Sequence, residues 1–239
     1  MLNKSRLQNK SNKAFKKNSK QISLICPTKN NLTKIKSLAR KLKKLAKNEN
    51  SYELVIVIDD NDLSYTNLNA DKLNICICKS RPKKNISQLL KTRIKNSCGK
   101  VIMFMNDDVT PKTKNWDNII LQLANRYQDE IFLIHCNDGY FKESLCIFPI
   151  ISRKLINLCP KVLLSKYKKY RIDDGIFHIF NMLTYAGFYR EHYIDSLVFE
   201  HNHFSLTKNN ASYKPIESIH KIDSVVFHQQ KKQRIAYVK

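Results

Sequence analysis

The strip Val101-Ile102-Met103-Phe104-Met105-Asn106-Asp107-Asp108 constrains this chain more than any other. Five apolar residues run straight into an amide and two carboxylates. A run this short and this apolar predicts a buried strand, with its polar tip at the carboxyl end. In open α/β sheets, ligands sit beyond the carboxyl ends of the strands. Carboxylates placed there can hold a hard divalent cation against a phosphate, because Mg²⁺ and Mn²⁺ prefer oxygen ligands. The alternative is a polar turn after a core strand. Val109-Thr110-Pro111 follows and is expected to break regular structure.

The pattern recurs. Glu53-Leu54-Val55-Ile56-Val57-Ile58 reads as a second buried strand and ends in Asp59-Asp60-Asn61-Asp62. Ile22 to Pro27 predicts a first strand, Asn74 to Cys78 a third, and Ile131 to His135 a fifth. Between them, Leu32, Ile35, Leu38, Leu42 and Leu45 recur at helical spacing, so 31–47 predicts an amphipathic helix. Its other face carries Lys34, Arg40, Lys41 and Lys44, which suits a solvated face covering a sheet better than a membrane-bound one. Further helices are expected over 86–97, with Gly99 as the stop, and over Trp116 to Tyr127. Strands alternating with helices imply an α/β fold with a mainly parallel sheet. The second half is less regular. Leu145 to Ile151 looks strand-like, Asp174 to Leu183 helical, Leu197 to Phe199 a short strand leading into Glu200-His201-Asn202-His203, and 216–236 helical.

Composition narrows the function. Only four glycines occur, none in a phosphate-cradling loop, so phosphate must be handled by a metal, a basic side chain or a helix N-terminus. No acidic residue precedes Glu49, and residues 1–48 hold 15 Lys and Arg; the remaining 191 residues carry a balance of only +8 out of the total of +23. Residues 1–20 therefore read as a disordered basic arm, suited to an anionic membrane or simply to solvent. Nucleic acid is a poor partner, because Phe15 is the only aromatic residue in 1–48. The seven cysteines lack a CxxC pair and sit mostly in apolar runs, which fits reduced thiols in a cytoplasmic protein and not a zinc site. No apolar run reaches the ~18 residues of a membrane span, and no hydrophobic signal core opens the chain.

Taken in chain order, the polar groups make a kit for metal-assisted transfer from a nucleotide-activated donor: Asp59, Asp60 and Asp62, then Asn106, Asp107 and Asp108, then Asp173 and Asp174, then His201 and His203. The order Ser23-Leu24-Ile25-Cys26-Pro27-Thr28-Lys29-Asn30, then Val55 to Asp60, then Met105 to Asp108 resembles the GT-A fold of family-2-like glycosyltransferases over roughly residues 21–204. Asn106 to Pro111 followed by Trp116-Asp117 is similar to a version of their DxD region. The resemblance implies a GT-A domain over 21–215 with a helical extension over 216–239. It implies that Thr28 lines the nucleotide site, that Asp60 or Asp59 contacts the base or ribose, and that Asn106 and Asp107 lie against the donor. Asp108 would be the principal ligand of Mn²⁺ or Mg²⁺, with His201 or its rival His203 completing the shell. Asp174 or Asp173 would be the general base of an inverting displacement. Asn106 departs from the usual leading Asp and brings no charge.

The resulting expectation is a glycosyltransferase that moves a sugar from a nucleoside-diphosphate donor to a hydroxyl of a glycan or lipid-linked saccharide. It would be cytoplasmic, with a possible peripheral hold on an anionic membrane. A sugar-nucleotide nucleotidyltransferase, a basic nucleic-acid-binding protein and an inactive transferase are the rivals. Each site residue also has a plainer reading. The Asp59 cluster suits a turn, Asp173 a helix cap, His135 packing at a strand end, Arg81 and Lys83 a solvated loop, and Trp116 packing of a helix on the sheet.

Overall fold

A computed structural model describes residues 20–80, 86–160, 166–201 and 213–238. Eight strands form one sheet. They are β1 (Ile22–Pro27), β2 (Tyr52–Asp59), β3 (Ile75–Ser80), β4 (Val101–Phe104), β5 (Val109–Pro111), β6 (Leu133–Asn137), β7 (Ile150–Ser152) and β8 (Glu191–His201), in the spatial order β3-β2-β1-β4-β7-β6-β8-β5. The first four neighbours are mutually parallel; β7 runs antiparallel between β4 and β6, and β8 is parallel to β6. It follows that β1, β2, β4, β6 and β8 all end at the same edge of the sheet. The acid tips of β2 and β4 therefore share one side of the molecule, flanking the end of β1.

Alternation along the strands feeds two helical layers. Leu24, Leu54, Ile56 and Met103 face one core, with helices α1 (Leu32–Leu45) and α3 (Trp116–Ala124). Ile25, Val55, Ile102 and Phe104 face the other, with α2 (Ile86–Asn96), α4 (Arg153–Leu158) and α5 (Ile172–Tyr185). The final helices are α6 (Tyr213–Gln229), which adds Val226 and Phe227 to that second layer, and α7 (Lys231–Ala236). In α1, Ile35, Leu38, Ala39 and Leu42 are buried while Lys34, Arg40, Lys41 and Lys44 are exposed, as expected of a helix covering a sheet. Truncating Leu42 to Ala would cost about 2–5 kcal/mol.

Four local expectations fail. Val109 to Pro111 does not break structure: it forms β5, an edge strand antiparallel to β8. Pro111 is tolerated there because an edge residue need not donate to a ladder on both sides. The strand expected over Leu145 to Ile151 shrinks to β7, after a single 3₁₀ turn at Lys142–Ser144. The strand expected over Leu197 to Phe199 extends back to Glu191, through half-exposed residues that lack an apolar period. Gly99 does not stop α2 with a left-handed turn. A Cβ there would lie 2.6 Å from the backbone nitrogen of Ser23, so the glycine permits close approach to β1. The carbonyls at the end of α2 are capped instead by Arg153, which donates to Ile94, Ser97 and Gly99.

Candidate active site

The donor end is built where β1, β2 and β4 finish. Asp107 turns inward: its Oδ2 accepts from Thr28 Oγ1 at 2.7 Å and from Asn31 Nδ2 at 2.8 Å. Thr28 Oγ1 also lies 3.3 Å from the hydroxyl of Tyr65, which comes from the turn after β2. Asp107 thus clasps the β1–α1 loop to the tip of β4. Neither Asn31 nor Tyr65 stood out in the sequence, because an Asn in a turn and a lone Tyr have no spacing signature. Asp62 caps the Leu63–Tyr65 turn and accepts from Ser64 and from the backbone of Asn30; the Ser64 hydroxyl, foremost, holds its carboxyl below the usual range. Asp59 is half-buried with Lys29 Nζ 3.7 Å away, whereas the Asp60 side chain is exposed and its N–H donates to Ser80.

Next to this, β5 folds back against β8 and brings Val109 opposite His201. The His201 Nε2 lies 3.3 Å from Asp108 Oδ1 and 3.3 Å from Asn106 Nδ2. Its ring packs on Phe148, and its backbone N–H donates to the carbonyl of Asp138. Burial pushes the Asp108 carboxyl up, but the hydrogen bond and charge of His201 outweigh it and hold the group below its ordinary value. Asp108 Oδ1 is buried without a well-formed hydrogen bond. A buried carboxylate oxygen facing one imidazole nitrogen suits a divalent cation that takes its other ligands from phosphate and water. Among the described residues, no cluster of three or more His, Cys, Asp or Glu side chains is placed to hold an ion alone. His203, Arg81 and Lys83 lie outside the described residues.

The two remaining acids open α5. That helix ends next to the start of β8, so its N-terminus sits at the same sheet edge as the donor end. Asp173 and Asp174 occupy its first turn. Asp174 Oδ2 is 3.3 Å from Arg171 Nη1. Burial, reinforced by the neighbouring Asp174 charge, pushes Asp173 up to about 7. Asp138, at the end of β6, accepts on Oδ1 from the N–H groups of Tyr140, Phe141 and Lys142 and anchors that turn. His135 does not pair with it: it is buried in β6 with Nε2 3.2 Å from Glu191 and its ring against Phe177 and Tyr193.

The Trp-Asp pair is scaffold. Trp116 packs edge-on to Tyr52 and Phe199 and donates to the carbonyl of Leu42. Asp117 is buried and accepts from Lys47 N, Asn48 N and Ser51 Oγ, which fixes the turn between α1 and β2.

A mainly parallel sheet with acid tips on two neighbouring strands, flanked by helices, is the architecture of the GT-A type. The sequence profile of glycosyl transferase family 2 matches residues 23–193, and the chain belongs to that family. The fold is shared with the mannosyltransferase PcManGT of Pyrobaculum calidifontis, solved with GDP-Man and Mn²⁺ (TM-score 0.63, 13% identity, 90% of this chain and 65% of that one). It is shared with residues 1–349 of S. aureus TarS (TM-score 0.57, 15% identity, 75% of this chain and 59% of that one). The glucosyl-3-phosphoglycerate synthase of Mycobacterium tuberculosis, solved with Mn²⁺, UDP and glucosyl-3-phosphoglycerate, is also similar (TM-score 0.58, 12% identity, 88% of this chain and 80% of that one). The chain thus spans about two thirds or less of the first two of these proteins. Comparison with curated protein sequences returns no match.

Proposed function

We propose that this protein transfers a glycosyl group from a nucleoside-diphosphate sugar to a hydroxyl acceptor, with inversion and with the help of Mn²⁺. The observation that carries the reading is the meeting of Asp108 and His201, 3.3 Å apart, beside the strand tips that hold Thr28 and Asp59. Asp108 and His201 would hold the cation. Once bound, it offsets charge on the departing diphosphate. Mn²⁺ accompanies the nucleotides in the similar mannosyltransferase and synthase structures. Asn106, exposed and uncharged, would hydrogen-bond the donor without ligating. Thr28, Asp59 and Asp60 would line the nucleoside, and Asp107 would keep Thr28 in place.

For the base, Asp173 is the better of the two acids. Asp174 is engaged by Arg171, while burial and the adjacent Asp174 charge raise Asp173 above the usual carboxylate range, towards the values at which a general base takes a proton most effectively. It would remove the acceptor hydroxyl proton as the oxygen attacks the anomeric carbon. No described helix is long and apolar enough to cross a membrane. A saccharide or lipid-linked acceptor at an anionic membrane surface, reached with the help of the basic N-terminal segment, remains part of this proposal. Family membership favours sugar transfer over the nucleotidyltransferase reading.

The test is calorimetry of GDP-mannose, UDP-glucose and UDP-N-acetylglucosamine with and without Mn²⁺. One of them should bind in a metal-dependent way and lose that dependence in Asp108→Ala. Binding that is indifferent both to Mn²⁺ and to this substitution would sink the reading.

A further inference from the structure

The loop that delivers Arg171 to α5 is held by a residue more than fifty positions away. Asp223, on α6, is fully buried. Its Oδ1 accepts from the N–H of Lys168 at 2.7 Å, and its Oδ2 accepts from Lys169 at 2.8 Å and Tyr170 at 2.7 Å. Both carboxyl oxygens of this buried side chain are thus spent on three consecutive amides of one loop, which ties the loop to α6. The next residue, Arg171, sits in the left-handed region with φ 73°. A non-glycine residue is strained there, and such strain persists only where its surroundings over-determine it. Arg171 is held on each side. Its carbonyl accepts from Gly175, its Nη1 reaches Asp174, its Nη2 donates to Ser224 next to Asp223, and its guanidinium lies over Phe227 of the same helix. Arg234, buried on α7, stacks 3.9 Å from that Phe227 ring and reaches His178 of α5.

We propose that Asp223 is a positioning residue for the catalytic acids: by fixing residues 168–170, it sets the Arg171 cap that holds Asp174 and thereby the stance of Asp173. The inference rests on the reading of Asp173 as the base. It makes α6 and α7 part of the working enzyme.

The experiment uses the full chain, with Mn²⁺ and the nucleotide sugar selected by calorimetry. Asp223→Asn keeps the volume and removes the charge. It should lower kcat at least tenfold, leave donor KM within twofold, and speed amide hydrogen exchange at residues 168–170. A kcat within twofold of the parent, or a donor KM that worsens in step with kcat, would overturn the inference. Should Asp223→Asn fail to fold, Ser224→Ala decides: a three- to fivefold loss of kcat at unchanged melting temperature supports it, and an unchanged kcat overturns it. Asp173→Asn is assayed in parallel. If that variant stays active, the base assignment falls and takes this inference with it. If it is inert while Asp223→Asn is fully active, the inference alone falls.

Discussion

The two halves of the candidate site are built in different ways. The donor half is made of strand tips: Thr28, Asp59, Asp107 and Asp108 sit one to four residues beyond buried runs, and the sheet itself aligns them. The base half is made of a helix entrance, with Asp173 and Asp174 held by a strained arginine, a loop and two helices from the end of the chain. A parallel sheet places its carboxyl ends together whatever the loops do. A helix entrance has no such template and depends on long-range hydrogen bonds. Damage to the donor half should therefore appear in nucleotide binding, and damage to the base half in turnover.

The sharpest test of that division is Asp173→Asn. Turnover should drop about 10²–10⁴-fold, the usual worth of a general base, while nucleotide affinity stays put. Equal losses in both would merge the two halves into one. The same change removes an acid that the fold holds more protonated than the unfolded chain does. Such a group weakens the fold as pH rises from about 4 towards 7. Its removal should raise the melting temperature at pH 8 by about 2–4 °C, the effect of ~1 kcal/mol in a domain this size. Next in size, Asp108→Ala should weaken Mn²⁺-dependent nucleotide binding by about 10–100-fold. His201→Ala should do the same, because each supplies one side of the same contact. If Asp108→Ala left binding intact and reduced only kcat, the comparison would break.

The pH profile comes third. The base must be deprotonated to work, so kcat should be high above about 7 and fall by roughly tenfold per unit below it. Donor binding should keep its strength over that interval. Asp174, Arg171, Tyr167 and Cys146 are the ionisable neighbours that bear on Asp173. A smaller effect is expected for Asp107→Ala. The loss of two hydrogen bonds to a carboxylate should cost about 1–3 kcal/mol of stability and loosen the nucleotide several-fold through Thr28, with kcat at saturating donor little changed.

Most of the donor half was legible in the sequence because its signal is local. An apolar run ending in acids is one strand with a tip, and two of them in a βαβ context imply a shared edge. The Asp173-Asp174 pair was legible only as an acidic helix start, so the choice between them stayed open. Burial and Arg171 distinguish them, and both are properties of packing. His201 was visible as a polar end to a late strand, but its approach to Asp108 depends on β5, which Pro111 had argued against. Asp223 left no trace, because an acid within a helical period looks like any solvated position.

The order of strands and helices, the two faces of the sheet and the acid-tipped ends were thus determined by hydrophobic period and turn chemistry, which act over a few residues. That Asp173 carries the raised proton affinity, that His201 meets Asp108 and that Asp223 secures the loop at 168–170 were decided only by tertiary structure. Desolvation and charge pairing depend on neighbours in space, and the partners of His201, Asp223 and Ser224 come from segments 53 to 95 residues apart.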